Sequence, residues 1–275
     1  LDDNTLTSWR WVFSGVRVEV VYLLIFAGII LSFFLSKSAL PERYPLPFLF
    51  IVSFFVVMPL WSEPEIILDA SRYFIQAKHL ELYGIKYFFR EWGNEIGAWT
   101  DMPVVPFFYG LLFRYLGETR LYIQIFNALL FSSSVALTYL TGRMLWDKER
   151  GFFAGMLLLG IPYLQTQVPL MLVDVPAMFL VMLSVFSFVK AIDSGKHAWV
   201  VMAAAAVFLA LFSKYSVWLM LSVLPLIAIV YRSRGRSRSL ALMAVIALIA
   251  GLLSGALFFA KYQVIKDQIY MLSTY

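Results

Sequence analysis

The stretch Trp61–Pro103, WSEPEIILDASRYFIQAKHLELYGIKYFFREWGNEIGAWTDMP, decides how the rest of this chain is read. It is a polar interval in a sequence otherwise made of apolar runs and short basic links, and the longest segment that does not read as a span. It holds Glu63, Glu65, Asp69, Glu81, Glu91, Glu95 and Asp101 among the 17 acidic residues of the chain, so acid–base chemistry is expected here. From Ala70 to Leu80 the apolar residues fall at Ala70, Tyr73, Phe74, Ala77 and Leu80, the spacing of one helix face. Arg72, Gln76, Lys78, His79 and Glu81 fall elsewhere around it. The spacing predicts an amphipathic helix in the interface plane, ended by Gly84. Gly93–Thr100 is turn-rich. Pro103–Gly117, PVVPFFYGLLFRYLG, is apolar but short for a bilayer and reads as a second interfacial or re-entrant helix.

Outward from this interval the sequence is membrane-like. Apolar residues make up 61% and charged residues 14%, against roughly half and a quarter in a soluble domain. The expected fold is an all-α polytopic transmembrane bundle of about eight spans. It forms one domain over residues 1–275, with the outer loop at 62–103 and the second interfacial helix at 103–117. Spans are expected at about Val18–Ser36, Leu46–Trp61, Leu121–Leu145, Phe152–Gln165, Leu170–Val189, Ala198–Phe212, Tyr215–Tyr231 and Leu240–Ala260. The first is long enough to span, so no cleavable signal peptide is expected. Aromatic residues suit lipid contact and interfacial belts. The net charge of +5 resides in links between spans and does not point to nucleic acid. With no cysteine, disulfides, thiolate metal sites and cysteine nucleophiles are excluded.

The links differ in charge. Arg143, Lys148 and Arg150 share one, Lys190 and Lys196 another, and Arg232, Arg234, Arg236 and Arg238 a third. Thr166–Pro169 and Ser213–Lys214 carry a single base, Lys214. Basic links stay cytoplasmic, which places the Trp61–Pro103 loop, Asp174 and Lys214 on the outer face. The same count places the N-terminus outside.

Three charged groups stand out. Asp69 opens the amphipathic helix, either as an N-cap or as a general base at the membrane surface. Asp174 interrupts the apolar run LMLVDVPAMFLV, as a cap before Pro176 or as a functional intramembrane charge. Lys214 either snorkels from a helix end or binds a phosphate as a point charge. Glu65 and Asp101, with Glu63, could offer oxygen ligands to a divalent metal ion, although each alone reads more simply as a solvated loop charge. No zinc motif, phosphate-binding glycine loop or serine nucleophile elbow is present.

LDASRYFIQAKHLELYG, DMPVVPFFYGLLFRYLGETRLYIQIFNALL, LTYLTGRML, MLVDVPAMFLVMLSV and ALFSKYSVWLMLSVLPL, in that order, resemble the GT-C membrane glycosyltransferases. The similarity is to the family-39-like group of protein O-mannosyltransferases and aminoarabinose transferases, over roughly Leu46–Tyr231. The resemblance implies transfer of a sugar from a polyprenyl-phosphate carrier to a protein, lipid or glycan acceptor on the outer or lumenal face, and for this chain the extracytoplasmic face of the plasma membrane is expected. It makes Asp69 the candidate catalytic base, assisted by Asp174. Lys214 becomes the residue holding the carrier phosphate, with Arg72 and Tyr215 as further substrate-binding candidates. The alternative is a non-catalytic membrane subunit that keeps the scaffold and docks on membrane protein partners. A transporter would need repeated halves, which the sequence does not contain.

The charge asymmetry of the links makes the topology testable. Single cysteines at Asn94 and Ser237 should differ in intact cells, with an impermeant thiol reagent labelling position 94 only. Labelling at 237 and not at 94 would invert the topology.

Overall fold

The structure is a computed structural model that describes Phe26, Ile30 and residues 43–62, 68–235 and 237–274. The chain divides into two units, Leu1–Phe48 and Leu49–Tyr275. The expected first span, about Val18–Ser36, falls almost wholly outside the described residues, as do Glu63 and Glu65.

All regular structure among the described residues is helical. In chain order the elements are α1 (Pro45–Val56), a short 3₁₀ turn (Met58–Ser62), α2 (Leu68–Tyr83), α3 (Ile85–Glu91), α4 (Val104–Leu116), α5 (Arg120–Leu145) and α6 (Lys148–Leu159). They continue with α7 (Pro162–Gln167), α8 (Asp174–Ser194), α9 (His197–Leu211), α10 (Ser216–Met220), α11 (Val223–Ser233), α12 (Arg238–Ala260) and α13 (Tyr262–Thr274). Among the described residues, five stretches are long and apolar enough to cross a membrane: Pro45–Ser62, Arg120–Leu145, Asp174–Ser194, Ser216–Ser233 and Arg238–Ala260. The protein is therefore an integral membrane protein.

Five of the expected spans keep nearly the expected bounds as helical stretches, and α8 is displaced toward the C-terminus by a few residues. The run Phe152–Gln165 differs. It breaks into α6 and α7 at Gly160–Ile161, with Ile161 at φ −91° and ψ 103° before Pro162. The proline ring disfavours helical geometry in the residue before it, so one continuous helix cannot form. Helix α9 has 15 residues and is short for a simple crossing. Helix α13 was not anticipated.

Helix α8 is the centre of packing. It lies against α5, α9, α11 and α12, and 61% of its apolar stretch is buried, against 11% for α12. A helix apolar all round with little of it buried, such as α12, suits a lipid-facing position. The C-terminus of α8 is closed by Gly195, whose φ of 67° is the left-handed cap geometry and whose N–H donates to Ala191 O. Arg238 donates from Nη2 to Ile192 O at 3.0 Å. A cation at this end satisfies an orphan carbonyl and suits the helix dipole.

Helix α2 packs on α4 in a second group, with Ala70, Tyr73, Ala77, Val105, Tyr109, Phe113 and Ile123 sharing a core with the segment Leu170–Val173. The apolar face expected for α2 is the buried one, with Gln76 added to it. Close approach of α2 and α4 depends on Gly110. A Cβ there would sit 2.7 Å from Leu80 Cβ and 2.9 Å from Ala77 O.

Gly110→Ala should therefore push α2 off α4. Overpacking of this kind costs about 1–3 kcal/mol, which predicts a lower thermal midpoint in detergent. An unchanged midpoint would show that the two helices are not held at this distance.

Candidate functional site

Two groups of charged side chains gather in the structure. The first is built on α2 and the loop before α4. Asp101 is 5% exposed, and its own N–H donates to Ala98 O at 2.7 Å, closing a tight turn. Trp99 inside that turn has φ 49°, a left-handed conformation costly for a bulky residue. The turn leaves Trp99 exposed and sends the Asp101 carboxylate inward. Arg72 Nη2 donates to Oδ1 at 3.0 Å, and Gln76 Nε2 donates to Oδ2 at 2.9 Å. Gln76 Nε2 also donates to Gly97 O at 3.0 Å. Arg72 and Gln76 stand four residues apart and share a face of α2. Buried Arg72 Nε and Gln76 Oε1 keep no partner among the described residues.

Asp69 lies in the first turn of α2, one residue inside the helix, rather than at its cap. Arg72 bridges the two carboxylates, with Asp69 Oδ1 at 3.1 Å and Asp101 Oδ1 at 3.0 Å. The side-chain exposures are 52% for Asp69, 27% for Arg72 and 3% for Asp101. That gradient decides which carboxylate can meet a substrate. Asp69 is open, whereas Asp101 is sealed. Burial pushes the Asp101 carboxyl up from its ordinary value, opposed by the charge of Arg72 and the Gln76 hydrogen bond. Burial first, then the nearby Asp101 and Asp69 charges, push the Tyr73 phenol well above the usual tyrosine range.

The second group lies where helices break. Lys214 sits between α9 and α10, and Asp174 is the first residue of α8. Lys214 Nζ donates to Asp174 Oδ1 at 2.7 Å across 40 residues of sequence, and the two side chains are 40% and 39% exposed. Neither expected local role, cap or snorkel, accounts for this pair. Asp174 is held in place from behind. Tyr109 donates to Leu172 O at 2.6 Å and lies 3.1 Å from Asn127 Oδ1, while Asn127 Nδ2 donates to Leu170 O at 2.8 Å. Tyr109 and Asn127 are fully buried and were not singled out from sequence. Polar residues on the apolar helices α4 and α5 were the available signal.

The groups are connected. Val104 N–H donates to Phe212 O at 3.1 Å, joining the loop after Asp101 to the chain before Lys214. Tyr215, beside Lys214, donates to Gln268 Oε1 at 2.9 Å, and Gln268 Nε2 donates to Asp101 O at 2.8 Å. Burial pushes the Tyr215 phenol up to about 12. Beside this row lies an apolar cavity of about 240 Å³, lined by Phe89, Met102, Phe212, Leu257, Ile265 and Gln268 among others. A second of about 300 Å³ shares Met102, Phe212 and Ile265 with it and extends to Trp218 and Phe258.

The donor set near Asp101 does not suit a divalent ion. Both oxygens of Asp101 accept from Arg72 and Gln76, and the guanidinium occupies the space between the two carboxylates. Glu65 lies outside the described residues, and among those described no three His, Cys, Asp or Glu side chains gather as a metal set.

The profile of the dolichyl-phosphate-mannose-protein mannosyltransferase family matches residues 100–254. That range takes in Asp101, Asp174, Lys214 and Tyr215. No curated protein matches the chain significantly.

Removing Arg72 leaves the sealed Asp101 charge without its cation, a loss of about 3–5 kcal/mol for a buried pair. A carboxyl whose folded pKa lies above its unfolded one favours folding while protonated, and that contribution fades as pH rises through the folded value. Arg72→Ala should therefore lower the thermal midpoint more at pH 8 than at pH 5. Arg72→Ala with Asp101→Asn should recover part of the loss. Equal losses at both pH values would mean that Asp101 is not the group left uncompensated.

Proposed function

The chain belongs to the dolichyl-phosphate-mannose-protein mannosyltransferase family, and on that premise we propose that it moves a sugar from a polyprenyl-phosphate carrier to an acceptor hydroxyl on the extracytoplasmic face of the plasma membrane. The supporting observation is the adjacency of three things. An open carboxylate, Asp69, belongs to one polar group, a half-exposed ammonium, Lys214, belongs to the other, and an apolar cavity touches the loop of the first and the chain before the second.

In this reading the hydrocarbon chain of the carrier lies in the cavity along Met102, Phe212 and Ile265. Its phosphate meets Lys214 from the open side. An ion pair as exposed as Lys214–Asp174 contributes about 0–1 kcal/mol, so exchanging one carboxylate contact for a phosphate is not blocked. Asp174 and Tyr215 orient the ammonium and the break around it. Asp69 accepts the proton of the acceptor hydroxyl as that oxygen bonds to the anomeric carbon. The bond from that carbon to the phosphate oxygen breaks, and the lipid phosphate leaves as an anion neutralised by Lys214. Arg72 keeps the Asp69 carboxylate turned toward the loop.

The reading also assigns α2 and α4 to the outer interface. Lys148–Gln167 and His197–Leu211 add two crossings to the five long apolar stretches, and the expected Val18–Ser36 span lies almost wholly outside the described residues.

A second reading is favoured by one observation. Asp69, Asp101, Asp174 and Lys214 are all already ion-paired within the chain, as a scaffold that had lost its reaction would permit.

Asp69→Asn separates the two. It keeps size and removes the charge, and general acid–base contributions are about 10²–10⁴-fold. Transfer of a radiolabelled sugar from polyprenyl phosphate should fall by that factor in a folded, membrane-inserted variant. Unchanged turnover would remove Asp69 as the base, and a wild-type protein inactive with every polyprenyl-phosphate sugar would support the scaffold.

A further inference from the structure

Helix α13 lies beyond the part of the chain matched by the family profile, which ends at residue 254. It nevertheless reaches the centre of the candidate site. Two of its residues, together with Lys261 just before it, meet the segment from the end of α3 to the loop before α4 at successive points. Lys261, just ahead of the helix, donates from Nζ to Arg90 O at 2.6 Å. Val264 fills the space over Gly93, where a Cβ would come within 2.3 Å of Val264 Cγ2. Gln268 donates to Asp101 O at 2.8 Å. The spacing of three and four residues is that of a single helical stripe. Ile265 on the same side is 5% exposed and joins the core that contains Met102 and Val217.

Gln268 is 2% exposed, and both ends of its amide are used. The amide nitrogen holds the Asp101 backbone, and the oxygen accepts from Tyr215. An amide is suited to this because it offers a donor and an acceptor at fixed separation. A carboxylate would place only acceptors against the Asp101 carbonyl, and an apolar side chain would leave two buried polar groups unpaired. On one side the bridge ends at the residue that anchors Arg72, and through it Asp69. On the other it ends at the neighbour of Lys214.

We propose that Gln268 is a positioning residue, which fixes the Asp101 loop relative to the Lys214–Tyr215 break and so sets the separation between the two halves of the site. Its action on turnover rests on the glycosyl-transfer reading above, whereas its action on the loop does not. Gln268 touches no reacting atom. Its effect is on alignment, and a misplacement of about 1 Å can cost about 10²-fold in rate.

The test compares Gln268→Met, Tyr215→Phe and the double variant of the full chain in detergent. Two readouts are used: amide hydrogen exchange over residues 98–104, and steady-state transfer from a polyprenyl-phosphate sugar. Gln268→Met should stay folded and exchange about tenfold faster at Asp101 and Val104. It should lower kcat by about ten- to a hundredfold with the donor KM within about twofold. Tyr215→Phe should add little to it, because both remove the same bridge. Unchanged exchange in Gln268→Met overturns the proposal, whatever the activity. So does unchanged kcat in an active enzyme, or a fully additive double variant. If the wild type transfers no sugar, the glycosyl-transfer reading fails, and the exchange result alone decides whether Gln268 holds the loop. Gln268→Glu provides a second variant if Met disrupts folding. It should keep the Tyr215 contact and still loosen Asp101, and protection equal to wild type would also overturn the proposal.

Discussion

The sealed carboxylate of Asp101 is the constraint on which the rest of the arrangement depends. A charge taken out of water is tolerated only when it is paired and its oxygens are hydrogen-bonded. Arg72 and Gln76 meet that demand, and both come from one face of α2. The helix is thus fixed in rotation as well as in place. Once Arg72 is committed to Asp101, its remaining reach falls on Asp69, which is held at the open end of the same row. The open carboxylate is thus positioned by a sealed one.

The loop carrying Asp101 is tied down on every side. Its turn is closed by its own backbone, its exit is bonded to Phe212, and its carbonyl is held by Gln268. Helices α8 and α9 form the packed body against which these ties are made, while α12 adds apolar surface with little burial. A polar row then runs beside an apolar cavity at the level where helices α9 and α10 break. This juxtaposition suits a substrate that is part hydrocarbon and part charged sugar phosphate. It also explains why a membrane protein keeps irregular backbone here, since such backbone is tolerated where it is buried in protein or lines a cavity.

Much of the helical content was legible because apolar periodicity reports burial directly. The face of α2 was read correctly at Ala70, Tyr73, Ala77 and Leu80. Gln76 was misplaced on the polar side for an understandable reason: spacing alone treats glutamine as solvent-seeking, and its partner lies 25 residues away. The resemblance to the GT-C glycosyltransferases is borne out by the family match. The pairing of Lys214 with Asp174 could not be read, because no local pattern links residues 40 apart. The break at Gly160–Ile161–Pro162 carried its signal in the proline, and the apolar run around it hid that signal. The role of Gln268 was out of reach, since one buried amide on a short helix looks like any polar surface residue until its partners are placed.

The central claim is that one lipid-linked phosphate bridges the cavity and the Lys214 break. A structure of the full chain in a lipid nanodisc with a polyprenyl phosphate tests it most directly. Phosphate density is expected within about 4 Å of Lys214 Nζ, the distance of an ion pair, with the chain running along Met102, Phe212 and Ile265. Saturating lipid that leaves this cavity empty, or phosphate density seated elsewhere with Lys214 still on Asp174, would contradict it.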